Sequence, residues 1–206
     1  MTFASVIAYV DLIAGGVFAA SGALAAAEKR LDVLGFVFFG TLTGVGGGTL
    51  RDVLLQQPVF WIFDNRYLWV CVGMSLLTWY LAPFLSARRP LLLWADAAGL
   101  ALFSVLGCAK ALQNDMTAIV AVVMGIMSAS FGGLLRDTLL SRDSVLLGAE
   151  LYVTAALAGA SAYVVLEQVP GLSNSYALLL AMLPAIVLRA GAIRRGWYLP
   201  SYRRLQ

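Results

Sequence analysis

The sequence predicts an all-α membrane protein whose seven transmembrane helices form two inverted three-helix repeats and a seventh helix. Three observations lead to this fold class. Hydrophobic residues make up 61% and charged residues 12% of the chain, whereas an average soluble domain is about half apolar and a quarter charged. Seven apolar stretches are each long enough to cross a bilayer. The first half of the chain also aligns with the second half at one constant offset.

The apolar stretches follow one another with short connections, so residues 1–206 are predicted to form a single transmembrane domain. The stretches cover residues 8–27, 33–56, 68–85, 91–112, 116–140, 147–169 and 176–193. The first repeat spans about residues 8–86 and the second about 91–170. The seventh helix spans about residues 175–194, and a basic tail covers 195–206.

The distribution of basic residues predicts the orientation in the membrane. Seven spans place the termini on opposite sides. With the C-terminus in the cytoplasm, 11 of the 14 Lys and Arg residues lie on the inner side, and only Arg51, Arg66 and Lys110 lie on the outer side. The positive-inside rule therefore predicts an external N-terminus. We interpret the net charge of +3 as topology signals and lipid contacts, and we expect no nucleic-acid partner.

The internal repeat is visible at an offset of 85 residues. Asp11 aligns with Asp96, and Gly47-Gly48 aligns with Gly132-Gly133. Leu50-Arg51-Asp52 aligns with Leu135-Arg136-Asp137. Because each copy contains an odd number of spans, the second copy must enter the membrane from the opposite side. Inverted repeats place a pathway near the bilayer midplane, between discontinuous helices.

A glycine-rich segment predicts a break in the second span. It contains Gly44, Gly46, Gly47 and Gly48, and each glycine costs about 1 kcal/mol relative to alanine inside a helix. The fifth span repeats this pattern more weakly. Its residues are Ser128, Ser130, Gly132 and Gly133. Breaks at equivalent positions favour a pathway lined by free backbone groups. The alternative is that the glycines let helices pack closely.

Two Arg-Asp steps follow the glycines and are functional candidates, because buried charges in a membrane are costly unless they are paired or hydrated. The pseudo-symmetry predicts reciprocal pairs of Arg51 with Asp137 and of Arg136 with Asp52. In the alternative, both steps lie at span ends and their side chains extend to the headgroups.

Three further charges stand near span ends. Asp11 and Asp96 begin the first and fourth spans, where they either attract cations to the two mouths or cap helix N-termini. Lys110 has no counterpart, because Ala25 occupies the equivalent position. It is either a gating charge or an interface anchor, and we favour the anchor. Tyr67 and Tyr152 are also expected as interface anchors.

The residue types argue against catalysis. The chain contains no histidine, the commonest general base and metal ligand. Cys71 and Cys108 lie in apolar runs, where a buried hydrophobic role is expected. We therefore expect no enzyme activity, no cofactor, and no metal site apart from a permeant ion.

The segment GVGGGTLRD at residues 44–52, with its echo FGGLLRD at 131–137, resembles the prokaryotic branch of the trimeric intracellular cation (TRIC) channels. This family is also labelled as glycine transporters. The resemblance covers essentially the whole chain and implies a bacterial or archaeal plasma membrane protein. It further implies a lipid-embedded homotrimer in which each subunit has one pore for K⁺ or Na⁺, chiefly K⁺.

The same resemblance assigns the pore to the second and fifth spans, which bend at their glycines. Thr43, Ser128 and Ser130 are then pore hydroxyls. Animal members carry a lysine-glutamate-valine stretch in the fourth span, but here the region reads Cys108-Ala109-Lys110-Ala111, without the acid. The alternative function is secondary transport of glycine or another small solute, with the glycine segments as its substrate site.

Overall fold

The computed structural model describes residues 3–85, 88–142 and 151–200, and within these ranges it is helical and contains no strand. The helices are α1 (Phe3–Glu28), α2 (Val33–Leu54), a short α3 (Phe60–Phe63), α4 (Arg66–Leu81, followed by a 3₁₀ turn at Ala82–Phe84), α5 (Arg88–Gln113), α6 (Ala118–Leu139), α7 (Tyr152–Glu167) and α8 (Asn174–Arg195).

Within the described ranges, six helices are long and apolar enough to cross a membrane, and they are α1, α2, α4 with its 3₁₀ turn, α5, α6 and α8. The seventh apolar helix, α7, has 16 residues and is about 24 Å long. Six of the predicted spans are therefore confirmed to within a few residues at each end, and α7 lies within the remaining predicted stretch. Residues 147–150 of the sixth predicted span and residues 201–206 of the predicted tail lie outside the described residues.

The centre of the bundle is formed by α1 and α5, which pack against each other and begin the two predicted repeats. Phe18 of α1 stacks on Phe103 of α5 with ring centroids 5.2 Å apart. These two residues are counterparts at the repeat offset. Contact between equivalent residues is the signature of a two-fold relation, because residues on such an axis meet their own copies.

The backbone repeats the same turns in both halves. Among the described residues, the non-glycine residues with positive φ are Arg30 (55°), Gln56 (54°), Asp115 (57°) and Ser141 (47°). Arg30 and Asp115 follow α1 and α5, and Gln56 and Ser141 follow α2 and α6. Both pairs are 85 residues apart. Because a non-glycine residue rarely adopts this conformation, its recurrence shows that the halves share local geometry as well as sequence.

The glycines of α2 and α6 lie where these helices cross. A Cβ added to Gly47 would overlap the carbonyl oxygen of Ser128, and a Cβ added to Gly132 would overlap that of Thr43. Thr43 and Ser128 are themselves counterparts, so the two contacts are reciprocal. The crossing therefore has the exchange pattern expected of a two-fold interface.

Both helices continue through their glycines, α2 over Val33–Leu54 and α6 over Ala118–Leu139. The predicted breaks in the second and fifth spans are therefore wrong. Low helix propensity did not decide the outcome, because a membrane-embedded helix has no water to satisfy free backbone groups. The missing side chains instead let the two backbones touch, as small residues do at close helix crossings.

Candidate functional site

The crossing of α2 and α6 brings together five predicted pathway residues, Thr43, Gly46, Gly47, Ser128 and Gly132. Thr43 and Ser128 are fully buried. The Thr43 hydroxyl donates to the Phe39 carbonyl at 2.7 Å, while the Ser128 hydroxyl has no hydrogen-bond partner among the described residues. At this level, the contact between backbones leaves no room for a hydrated ion between the two helices.

The other predicted pathway residues face elsewhere. Gly44 packs against α4 and α1, Gly48 packs against the α3 aromatic ring, and Gly133 lies beside a tyrosine of α7. Ser130 is half-buried, and its hydroxyl donates to the Ile126 carbonyl at 2.7 Å. These four residues therefore do not join the crossing.

A group of charged residues lies where α1 begins and α2 ends. We call it the proximal cluster, and it consists of Asp11, Arg51, Asp52, Tyr67 and Lys110. Lys110 forms an ion pair with Asp11, which also accepts a hydrogen bond from the Tyr67 hydroxyl at 3.3 Å. The Arg51 Nε donates to Asp52 at 2.8 Å. The cluster therefore contains two basic and two acidic side chains.

Phe60 of α3 covers the proximal cluster. Its backbone N–H donates to the second carboxylate oxygen of Asp52 at 3.0 Å. Its ring centroid lies 5.4 Å from the Lys110 Nζ and 5.9 Å from the Arg51 Cζ. These distances lie within the range of cation–π attraction, so the ring contacts both basic side chains of the cluster.

A second group of charges lies at the opposite end of the bundle, where α1 ends and α6 ends. We call it the distal cluster, and it consists of Asp96, Arg136, Asp137, Tyr152 and Arg189. Arg136 donates to Asp96 at 2.9 Å and to Asp137 at 2.8 Å. Arg189 of α8 places its Cζ 5.0 Å from the Tyr152 ring centroid. Here too, two basic side chains accompany two acidic ones.

The two clusters share four equivalent positions at the offset of 85. The fifth member differs, because α5 supplies Lys110 to the proximal cluster and α8 supplies Arg189 to the distal cluster. The distal cluster also has a further partner, since Arg136 donates to the Ser21 hydroxyl of α1 at 3.0 Å. The equivalent residues of the two repeats therefore have similar geometry around the Arg-Asp steps, but the residues that surround these steps differ between the two clusters.

The predicted reciprocal pairs are wrong. Arg51 pairs with Asp52, and Arg136 pairs with Asp137 and Asp96. Adjacent residues can pair here because each helix ends just after its Arg-Asp step, which places both side chains beside the same helix end. Both arginines are also fully buried, so the alternative in which they extend to the headgroups is wrong as well.

The capping interpretation of Asp11 and Asp96 is also wrong. Each residue lies eight positions after the start of its helix, α1 at Phe3 and α5 at Arg88, and its carboxylate forms an ion pair. Lys110 is not an interface anchor, because it pairs with Asp11 and only 19% of its side chain is exposed.

The sequence reasoning missed three members of these clusters. Tyr67 and Tyr152 were expected as interface anchors, but they are buried, with 8% and 2% of their surface exposed. The signal that could have identified them is that Tyr67 and Tyr152 align with each other at the repeat offset, as Asp11 and Asp96 do. Arg189 has no counterpart in the repeat, and its position inside an apolar span marked it as a buried charge needing partners.

A polar cavity opens next to each group of charges. The proximal vestibule has a volume of about 340 Å³ and is lined by Asp52, Leu55, Gln57, Pro58, Phe60, Phe63, Lys110, Gln113 and Asn114. The distal vestibule has a volume of about 360 Å³ and is lined by Glu28, Lys29, Arg89, Ser141 and Arg142. The α2–α6 crossing lies between them along the bundle.

Comparisons with known proteins agree with this architecture. The glycine transporter family model matches residues 8–83 and 93–168, and these two segments are 85 residues apart. A UPF0126 membrane protein from Vibrio cholerae is 37% identical over 205 residues, which cover 96% of this chain and 83% of the relative.

Solved structures show the same fold. A TRIC trimeric intracellular cation channel orthologue from Rhodobacter sphaeroides is 40% identical with a TM-score of 0.90, covering 94% of this chain and all of that one. A prokaryotic TRIC channel solved in 0.5 M KCl is 27% identical with a TM-score of 0.87, covering 96% and 100% of the two chains. The chain is therefore a multi-pass membrane protein of the TRIC channel family, whose family model is described as glycine transporter.

Proposed function

We propose that this protein is a cation channel that passes monovalent cations, chiefly K⁺, along a pathway between α2 and α6 in each subunit. The observation that carries the proposal is the placement of a close, glycine-lined helix crossing between two polar vestibules. The structural relatives named as cation channels support the same function.

The proposed pathway is closed at the crossing in this conformation. Conduction requires α2 and α6 to separate at Gly47 and Gly132, so that Thr43 and Ser128 line the opening. Two hydroxyl groups from opposite sides then replace part of the ion's hydration shell. Ser128 suits this role, because its buried hydroxyl lacks a hydrogen-bond partner among the described residues.

We place the proximal end outside the cell and the distal end in the cytoplasm, with the two halves inverted in the inner membrane. The reciprocal contacts between counterparts in α1 and α5 and in α2 and α6 support the inversion. The excess of Lys and Arg at the distal end supports the orientation. We also propose a homotrimer, because the Rhodobacter sphaeroides relative is a trimeric intracellular cation channel orthologue.

The second candidate is a secondary transporter of glycine or another small solute. The description of the matching family model favours it. In this case the two vestibules would open alternately, and the α2–α6 crossing would never form a continuous pore through the membrane. Passive current separates the two functions, since a transporter turns over slowly and saturates.

The test compares K⁺ currents in planar bilayers with glycine uptake into proteoliposomes, using one protein preparation. Discrete currents that reverse near the K⁺ equilibrium potential, without glycine uptake, support the channel. Saturable glycine uptake with silent bilayers overturns it and supports the transporter.

A pathway variant locates the pore. Thr43→Val combined with Ser128→Ala removes both hydroxyls with little change in volume, and we expect conductance to fall several-fold. Thr78→Val is the matched control, because Thr78 on α4 also donates its hydroxyl one turn back, to Met74 at 2.7 Å. Unchanged conductance in the double variant would place the pathway elsewhere.

A further inference from the structure

The two vestibules share their backbone geometry but not their charge. The distal vestibule carries Glu28, Lys29 and Arg142 at positions where the proximal vestibule has neutral amides. Those amides are Gln113, Asn114 and Gln57. Because the same helix ends and positive-φ turns form with neutral side chains, the fold does not require the distal charges. The positive-inside rule accounts for an excess of Lys and Arg at this end, but not for the grouping of these side chains around one cavity.

Part of the distal charge is internally balanced. The Arg142 Nη1 lies 2.6 Å from the Glu28 carboxylate, and its Nε lies 3.8 Å from Asp137. This guanidinium therefore connects the end of α1 to the end of α6. Arg142 and Glu28 compensate each other and leave no net charge in the vestibule.

Two other basic residues of the distal vestibule have no acidic partner among the described residues. The Lys29 Nζ donates to the Ser141 carbonyl at 3.4 Å, which does not neutralise its charge. Arg89, at the start of α5, is exposed and lines the same cavity. An ammonium and a guanidinium thus face a common cavity of about 360 Å³.

We propose that the distal vestibule binds a phosphate group, with Lys29 and Arg89 as its direct ligands and Arg142 behind them. Guanidinium groups match phosphate oxygens through paired donors, and an ammonium adds a compact charge. The cavity accommodates one phosphate group at the rim of the bundle. Two sources share this chemistry, a soluble phosphate or phosphomonoester and the headgroup of an anionic phospholipid.

This site uses no residue of the α2–α6 crossing, although it lies in the vestibule that the proposed pathway enters at the distal end. Phosphate binding can therefore be tested without measuring conduction. A bound phosphate would nevertheless lie beside the Arg142–Glu28 pair. By attracting Arg142, it would weaken the connection between α1 and α6.

The experiment uses the full-length protein in nanodiscs of zwitterionic phosphatidylcholine. Binding of radiolabelled orthophosphate and of glycerol 3-phosphate is measured at equilibrium. In a second arm, nanodiscs contain phosphatidylcholine with a minor fraction of phosphatidic acid, and native mass spectrometry measures which lipid stays bound. Soluble ligand binding identifies the first source, and selective retention of phosphatidic acid without soluble binding identifies the second.

The test variant is Lys29→Asn combined with Arg89→Ala. Each substitution installs the residue that stands at the equivalent position of the opposite half of the chain, Asn114 for Lys29 and Ala4 for Arg89, so the fold should tolerate them. We expect binding to fall at least about tenfold, since each charge-assisted hydrogen bond is worth about that factor. Arg195→Ala, which removes an exposed arginine from the same end of the bundle, should change binding less than about twofold.

Substitutions that preserve the two positive charges test whether lost binding reflects lost charge and not a misfolded protein. Lys29→Arg combined with Arg89→Lys should retain binding within a few-fold. The proposal is overturned if the wild-type protein binds neither phosphate probe nor phosphatidic acid above phosphatidylcholine, or if the Lys29→Asn, Arg89→Ala variant binds as the wild type does.

Discussion

The proximal and distal clusters contain the same repeated residues but balance their charge in different ways. Each repeat contributes one arginine and two aspartates, so each half buries a net charge of −1. The proximal cluster obtains its second cation from α5, as Lys110, and the distal cluster obtains it from α8, as Arg189. The two repeats therefore supply two similar groups of charges, and the cation that balances each group comes from a residue without a basic equivalent in the other repeat.

The two clusters differ in how far water can reach their basic side chains. Arg136 and Arg189 are fully buried, whereas 19% of the Lys110 side chain is exposed and Lys110 lines the proximal vestibule. Arg136 also holds Asp96 and Asp137 together, while the proximal acids have separate partners. We infer that the distal cluster is the more rigid end of the bundle and the proximal cluster the more adaptable one.

The largest effect is expected from Arg136→Met. This substitution removes the shared partner of two buried carboxylates, and breaking a buried ion pair costs about 3–5 kcal/mol. Asp137 keeps a longer contact to Arg142 at 3.8 Å, so most of the loss is expected from Asp96. Arg51→Met should cost at least about 1 kcal/mol less, because Asp52 still accepts the Phe60 N–H. The measurement is the free energy of unfolding in mixed detergent micelles. Equal losses in the two variants would contradict the different rigidity of the clusters.

An intermediate effect is expected at the helix crossing, where the two halves are most alike. Gly47→Ala and Gly132→Ala each drive a methyl group into a backbone carbonyl of the opposite helix, so each should lower the free energy of unfolding by about 1–3 kcal/mol. The reciprocal geometry predicts similar losses for the two variants.

Gly73→Ala is the control for these glycine substitutions. Gly73 lies in α4, and among the described residues no heavy atom beyond its own stretch of helix lies within 4 Å of an added Cβ. Alanine should therefore be neutral or stabilise by up to about 1 kcal/mol through helix propensity. If Gly47→Ala behaves like Gly73→Ala, the close packing of α2 against α6 is refuted.

The sequence predicted the helices well and the pairing of side chains poorly. Apolar length decides where a membrane helix lies, so the spans matched to within a few residues. The glycine break failed because intrinsic propensity in water was applied to helices that have no solvent to receive free backbone groups. The alternative interpretation, that these glycines let two helices pack closely, agrees with the observed crossing of α2 and α6.

The prediction of reciprocal ion pairs between the two Arg-Asp steps failed for a different reason. The offset identified Asp11, Asp96 and both Arg-Asp steps, but symmetry says only that equivalent residues have equivalent surroundings. It does not say which acid each arginine meets, because that depends on helix rotation and rotamers. Arg189 and Lys110 lie outside the symmetric set, so the alignment contained no information about their partners.

The smallest effect is expected for Lys110 and Asp11, because water in the proximal vestibule compensates part of any lost charge. Lys110→Met should destabilise by about 1–2 kcal/mol. Asp11→Asn added to that variant should recover much of the loss, since the unpaired carboxylate is removed. A double-mutant cycle on the free energy of unfolding measures this coupling. Strict additivity of the two substitutions would show that Lys110 does not balance the charge of Asp11, and the comparison between the clusters would then reduce to their burial alone.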